Sequence, residues 1–393
     1  MDIWKDQSQA AKKERWNMFW AMEDLPRPLW FLPASPVLAT AYDWLAKGRS
    51  VTSLFVDRDI QLEESLKFNK IFEHLQRWWS RDDFVLHLQP QMGVGVFASA
   101  FGCETSFPPD QMPWTKFAIK SGEPAEKVYE IAPPGIRDGL LGDVLDFTEY
   151  FQQKAGDRYP IALTDLQGPI DTAYLVWDST DFMVAMYDHP KEVHHLMKMV
   201  TDLVIKFVNK QRELAGEFIP SHLSFYLPDG CGIAVSEDAL AVLSPQLYEE
   251  FSLPYINELS EEFGGIVIHS CGNFEHQLPV LKKVHNLKGI NFGVTETRFE
   301  AVWEALGGKT GVIPHCTTEV IVEDFKNTKE WVAHVMKHKT TNKGLALLVI
   351  PMAGDSREYT TSLSDALSWK GMHNLKEMLF LARDIRRMVE GRA

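Results

Sequence analysis

His269 and Cys271 stand two positions apart in IVIHSCGN (residues 266–273), where an apolar, β-branched run stops at a His, a Cys and a Gly. In extended backbone, positions i and i+2 project to the same side, so an imidazole nitrogen and a thiolate sulfur there can reach one ion. That pair is a common part of a Zn²⁺ shell, and catalytic zinc usually takes three protein ligands and keeps a fourth position open. A buried cysteine beside an incidental histidine gives the same pattern, since Cys is among the most buried residue types. The place of the pair at the end of a strand favours the metal. Cys316 is the expected third ligand, 45 positions on (316 − 271), at the end of the later run TGVIPHC. His315 and Cys316 are neighbours, so an extended strand turns only one of them inward. Cys231, between glycines in DGCG, is a weaker candidate, and Cys103 in FGCE is read as structural. Asp229 and Glu319 are expected to complete the shell or accept a proton, against the alternative of solvated loop carboxylates. Asp165 and Gln167, on one face at the end of ALTDLQG, are the expected groups for holding a polar substrate or cofactor. Helix capping is the competing role for Asp165. Gly93-Val-Gly95 lacks the third glycine of a dinucleotide fingerprint, and neither a phosphate loop nor a Gly-x-Ser-x-Gly elbow is present.

The elements that must position these groups alternate. Residues 5–24 predict a helix against the body of the protein, and RPLWFLP (27–33) a first buried strand. A helical stretch follows over 52–79, then DFVLHLQP and GVGVFASAFG, read as strands. Residues 104–145, with paired prolines and the alternation of KVYEIAPP, predict a β insertion. From residue 160 the short runs PIALTDLQG, HLSFYLPDG, GGIVIHSCG, LKGINFG, KTGVIPHC and GLALLVIPMAG are separated by amphipathic segments, among them a long helix with a break near Pro190. Such strand–helix units imply a parallel sheet covered by helices, and about eight of them close into an α/β fold of the (β/α)₈ TIM-barrel type. Chemistry in that fold sits at the C-terminal ends of the strands. One domain over 1–393, with an N-terminal helical extension and the 104–145 insertion, is expected.

Composition narrows the classes further. A formal net charge of −14 disfavours nucleic acid and anionic membranes as partners. Four cysteines among 393 residues do not make a disulfide framework, and with no apolar leader the expectation is reduced thiols in a cytoplasm.

RPLWFLP, ALTDLQGPIDTA, HPKEVHHLMKMVTDLVIKFVNKQ, LSPQLYEEFSLPYI and IHSCGN together resemble the uroporphyrinogen decarboxylase-like barrels, which include the cobamide-dependent methyltransferases. In the decarboxylases an Arg-Gln-Ala-Gly-Arg loop after the first strand grips the porphyrinogen carboxylates. Here that stretch is Pro33-Ala34-Ser35-Pro36-Val37, without a cation, and unpaired buried carboxylates are costly. The decarboxylases' Asp-Ile-Leu motif is not cleanly present, and LLVIPMAGDS lacks their late histidine. The methyltransferase branch carries His-x-Cys plus a distant Cys on zinc, and His269 and Cys271 match that pair. Its distant Cys follows the final strand in a Pro-Gly-Cys-Gly-like turn, where this chain has Pro351-Met352-Ala353-Gly354. Cys316 then substitutes, or zinc is held differently, or the site has lost it. The resemblance implies a zinc-dependent methyltransferase working with a corrinoid (cobamide) on a partner protein and a small methyl donor or thiol acceptor. The alternatives are a decarboxylase-like lyase on a smaller, non-porphyrin substrate, and a non-catalytic corrinoid- or tetrapyrrole-binding protein.

Overall fold

The structure, a computed structural model, describes residues 2–32, 36–316, 325–350 and 375–391. Its strands in chain order are β1 (Leu29–Phe31), the hairpin β2 (Thr105–Ser106) and β3 (Trp114–Thr115), β4 (Ile161–Ala162), β5 (Phe218–Ile219), β6 (Ile233–Ser236), β7 (Ile266–Ser270), β8 (Leu287–Gly293), β9 (Gly311–His315) and β10 (Ala346–Leu348). Six form a parallel sheet in the order β1-β10-β9-β8-β7-β6. The ring closes through an extended segment after the first helices. The Asp83 N–H donates to the Trp30 carbonyl at 2.8 Å, Leu88 bridges Ile161, and Gln167, beyond β4, bridges Ser236 at the end of β6. With β5 lying beside β4, this is the expected (β/α)₈ barrel.

Buried on both faces, the strands read as continuous apolar runs. Ile266, Val267 and Ile268 are fully buried, and β-branched side chains suit such a strand. Helices after the strands cover the outside, the longest being Pro190–Leu214, which begins at the expected break. Among the described residues no helix is long and apolar enough to cross a membrane.

The N-terminal helix Gln9–Trp20 closes the barrel floor. Ser8 caps it, its hydroxyl accepting from the Ala11 N–H. Gly289 and Gly311 sit near the starts of β8 and β9, and a Cβ on either would lie 3.0–3.1 Å from the Trp20 ring. Glycine there lets the indole enter the floor. Trp16 packs edge-on against Phe19 and Phe31, with ring centroids 5.2 and 5.3 Å apart. Two charged residues of this helix are themselves buried. Lys12 and Arg15 have no exposure, and Arg15 Nε and Arg27 Nη1 each lie 2.7 Å from the Asp83 carboxylate, which also accepts from the Trp30 N–H at 3.0 Å.

Three expected strands differ. GVGVFASAFG contains a short helix, Val96–Ser99, because a continuous buried apolar run suits either conformation. KVYEIAPP enters a 3₁₀ turn, Ala125–Glu130, so the regular β structure described within the insertion is the β2–β3 hairpin. HLSFYLPDG is irregular, and the strand lies just before it, at β5.

Candidate functional site

Parallel register aligns the polar ends of neighbouring strands. Ser236 on β6 pairs with His269 on β7, which pairs with Asn291 on β8. Cross-strand partners share a face, and two residues earlier Gly289 meets the floor helix inside the barrel, so this row faces the interior. His315, two residues beyond Asn291's partner Ile313, joins it. Asn291 organises the group. Its Nδ2 donates to the Ile313 carbonyl at 2.6 Å, which fixes the amide orientation, and its Oδ1 therefore accepts from His269 Nδ1–H at 2.7 Å. The other ring nitrogen of His269, Nε2, faces Cys271 Sγ at 3.4 Å. The Asn291 amide also lies 3.3 Å from His315 Nδ1. Burial, with His269 nearby, pushes His315 down to about 3, so it is neutral.

Cys271 is set by the turn that follows it. Gly272 has φ +83°, in the left-handed region, and a Cβ there would lie 2.7 Å from the Ala241 Cβ. Thr297 pins the turn, its hydroxyl donating to the Gly272 carbonyl at 2.9 Å and accepting from the Phe274 N–H at 3.1 Å. The Cys271 N–H donates to Asp238 Oδ1 at 2.7 Å. Asp238 lies just past β6, and one ligand atom from each of Asp238, His269 and Cys271 falls within 4.8 Å of the others.

Buried carboxylates hold Asp238 in place. Asp171 accepts from the N–H groups of Asp238 (2.5 Å) and Ala239 (2.9 Å). Burial, together with the Glu237 carboxylate, raises Asp171 well above the usual range. Glu237 is pushed up to about 7 by burial, although the Ser252 and Tyr248 hydroxyls donate to it at 2.6 and 2.9 Å. On the other side of the row, Gln167 donates to Asp165 at 2.7 Å, both half-buried. His222, after β5, lies with Nε2 3.0 Å from Ser236 Oγ, and burial lowers its basicity, with Asp165 pulling the other way.

The expected site residues thus separate. His269 and Cys271 meet, and Asp165 and Gln167 flank them. Cys316 does not join: His315 takes the inward direction, and Cys316, of opposite parity, is fully buried in the hydrophobic core, outside the group that converges on one point. Asp229 is displaced from the mouth. With Cys231 it precedes β6 rather than ending a strand, and its carboxylate is 2.9 Å from Arg212 Nε at the end of Pro190–Leu214, on the floor side. Glu319, like Pro351–Gly354, lies outside the described residues. Cys103 is buried, its thiol pushed up to about 12 by burial. Asp238, Asn291 and His222 are the groups that sequence reasoning missed. Their signal was available in part: IAVSED is an apolar run ending in acids, and LKGINFG carries one amide inside a strand.

Comparison with known proteins agrees with this architecture. Over 76 residues the chain is 32% identical to uroporphyrinogen decarboxylases of two Xanthomonas campestris pv. campestris strains, 8004 and B100. That match spans 19% of this chain and only 18% of those relatives' length. A methyltransferase from Methanosarcina mazei has the same fold, with a TM-score of 0.64 at 14% identity over 95% of this chain and 98% of that one. A B12-independent methionine synthase from Shewanella sp. W3-18-1, solved in complex with selenomethionine, aligns at a TM-score of 0.45 and 13% identity, over 82% and 90% of the two chains. The family model for uroporphyrinogen decarboxylase (URO-D) matches residues 92–346, most of the barrel, and the chain belongs to that family.

Proposed function

We propose that this chain is a zinc-dependent methyltransferase, moving a methyl group between a corrinoid carried by a partner protein and a small thiol or methylated substrate. The observation that carries the proposal is the approach of His269 Nε2 to Cys271 Sγ, 3.4 Å, with Asp238 beside them. Tetrahedral zinc with ligands at ~2.0–2.3 Å separates a nitrogen from a sulfur ligand by about 3.5 Å, so the pair is spaced for one ion. Imidazole, thiolate and carboxylate make three ligands and leave a position for substrate. Asp238 takes the place that the sequence suggested for Cys316. When bound, zinc would present a coordinated substrate sulfur as thiolate at neutral pH.

The chain's own residues supply position. Asn291 holds the His269 tautomer, and Asp238 fixes the Cys271 backbone while offering a carboxylate. Asp165 and Gln167 stand where a polar substrate can be oriented. Methyl displacement between a carrier and a thiolate needs an ionised sulfur and a straight approach. A guanidinium cluster for several carboxylates is not needed, and residues 33–37 supply none. The fold shared with the Methanosarcina mazei methyltransferase is consistent with this chemistry.

Family membership favours a second reading, decarboxylation of a smaller substrate. Metal analysis of the full chain purified without chelator separates the two. A loss of about one equivalent of zinc in Cys271→Ser, together with loss of methyl transfer from methylcobalamin to a thiol, supports the proposal. A Cys271→Ser protein with unchanged zinc and unchanged transfer would refute it.

A further inference from the structure

We propose that the chain carries a second divalent-metal site on the outside of the barrel, formed by Glu300, His334 and His338. His334 and His338 occupy positions i and i+4 of the helix Thr328–His338, on one face, with ring centroids 4.3 Å apart. Glu300 comes from the first turn of the neighbouring helix Phe299–Leu306. Its Oε1 lies 2.9 Å from His334 Nε2 and 3.5 Å from His338 Nδ1, and one ligand atom from each residue falls within 4.8 Å of the other two. Nitrogen and oxygen ligands of tetrahedral zinc stand about 3.3 Å apart for bonds of ~2.0–2.2 Å, a few tenths of an ångström beyond the His334–Glu300 separation. The side chains are 30–41% exposed, so an ion can enter and a water can complete the shell.

The surroundings hold the ligands in place. The His334 ring packs edge-on against Phe325, centroids 5.2 Å apart. The His338 Nδ1–H donates to the His334 carbonyl at 2.9 Å, one turn back, which orients the ring and leaves the Nε2 lone pair for a metal. The set has two imidazoles, one carboxylate and no sulfur, which suits zinc, nickel or cupric ion over soft monovalent metals. Glu300 and the two histidines come from the helices on either side of β9, so a bound ion would cross-link two outer helices. This site does not depend on the mouth reading.

The test uses full-length protein carrying Cys271→Ser, which disables the mouth site, with and without His338→Gln or Glu300→Gln. Equilibrium dialysis against Zn²⁺ should give one equivalent in the Cys271→Ser protein and its loss in both double variants. Co²⁺ bound in the Cys271→Ser protein should show ligand-field absorption without a thiolate charge-transfer band. Zn²⁺ should also raise the thermal midpoint of the single variant and leave the double variants unmoved. His338→Gln and Glu300→Gln alter partly exposed side chains, and their circular dichroism confirms the fold. Equal zinc in single and double variants overturns the proposal. So does no bound zinc in any of them, which reduces the cluster to an ion pair between helices.

Discussion

Asn291 is the residue whose replacement tests the mouth most directly, because it does not itself touch the metal position. Leucine has nearly its shape and neither of its hydrogen-bonding groups. Asn291→Leu removes the 2.7 Å acceptor for His269 Nδ1–H and the 2.6 Å donor to the Ile313 carbonyl. With Oδ1 gone, nothing holds the proton on Nδ1, and the imidazole can protonate at Nε2 or rotate away from Cys271. Groups that orient a metal-bound histidine in this way are worth roughly 10–100-fold in metal affinity, about 1.4–2.7 kcal/mol. The stranded Ile313 carbonyl adds ~1–3 kcal/mol of lost stability, which acts on folding and not on the metal. Asn291→Asp separates the two effects. It restores an acceptor for His269 Nδ1–H and places a carboxylate oxygen against the Ile313 carbonyl. Zinc affinity, measured by competition with a chromophoric chelator, should therefore fall in Asn291→Leu and recover in Asn291→Asp, while both lose stability. If Asn291→Leu binds zinc as tightly as the wild type, or if Asn291→Asp is as impaired as Asn291→Leu, the tautomer reasoning fails.

Asp83→Asn leaves Arg15 and Arg27 buried without their counter-ion and should cost about 3–5 kcal/mol in denaturant unfolding; a cost under ~1 kcal/mol would contradict the clamp. Burial lowers Lys12 to about 8, with Asp82 and Asp83 pulling the other way, against an ordinary value near 10.5. Between these values the unfolded chain holds a proton that the folded chain has released, so stability should rise with pH across this window, and Lys12→Met should remove that slope. Asp229→Asn breaks an exposed pair with Arg212 on the floor side, so it should cost less than about 1 kcal/mol and leave zinc content unchanged; a loss of zinc would return Asp229 to the site.

How far the site could be read from the sequence depends on periodicity. IVIHSCGN carries its own geometry: a buried parallel strand, a period of two and a glycine that must turn, so His269 and Cys271 could be paired without any knowledge of their neighbours. The barrel followed from the same signal repeated, since each apolar run must be covered on both faces, by helices outside and by the other strands inside. Asn291 and Asp238 required something more, the register between strands, which is set by where each strand starts. One misplaced start was enough to lose Asp238. With HLSFYLPDG taken as a strand, its end fell at Asp229, and the true β6, IAVS, passed unrecognised with the acids behind it. Asp229 and Asp238 are nine positions apart (238 − 229), the climb from the floor to the mouth along one strand of the barrel. Cys316 failed for a related reason. Parity allowed either His315 or Cys316 inside, and the register with β8 settled it, since inward-facing Asn291 pairs with Ile313, two residues before His315. A sequence can state what one strand offers to the interior. Which of those offers meet is decided between strands, by shifts of one residue that reverse the face, and that is why Cys316 was expected beside His269 and Cys271 where His315 and Asp238 stand.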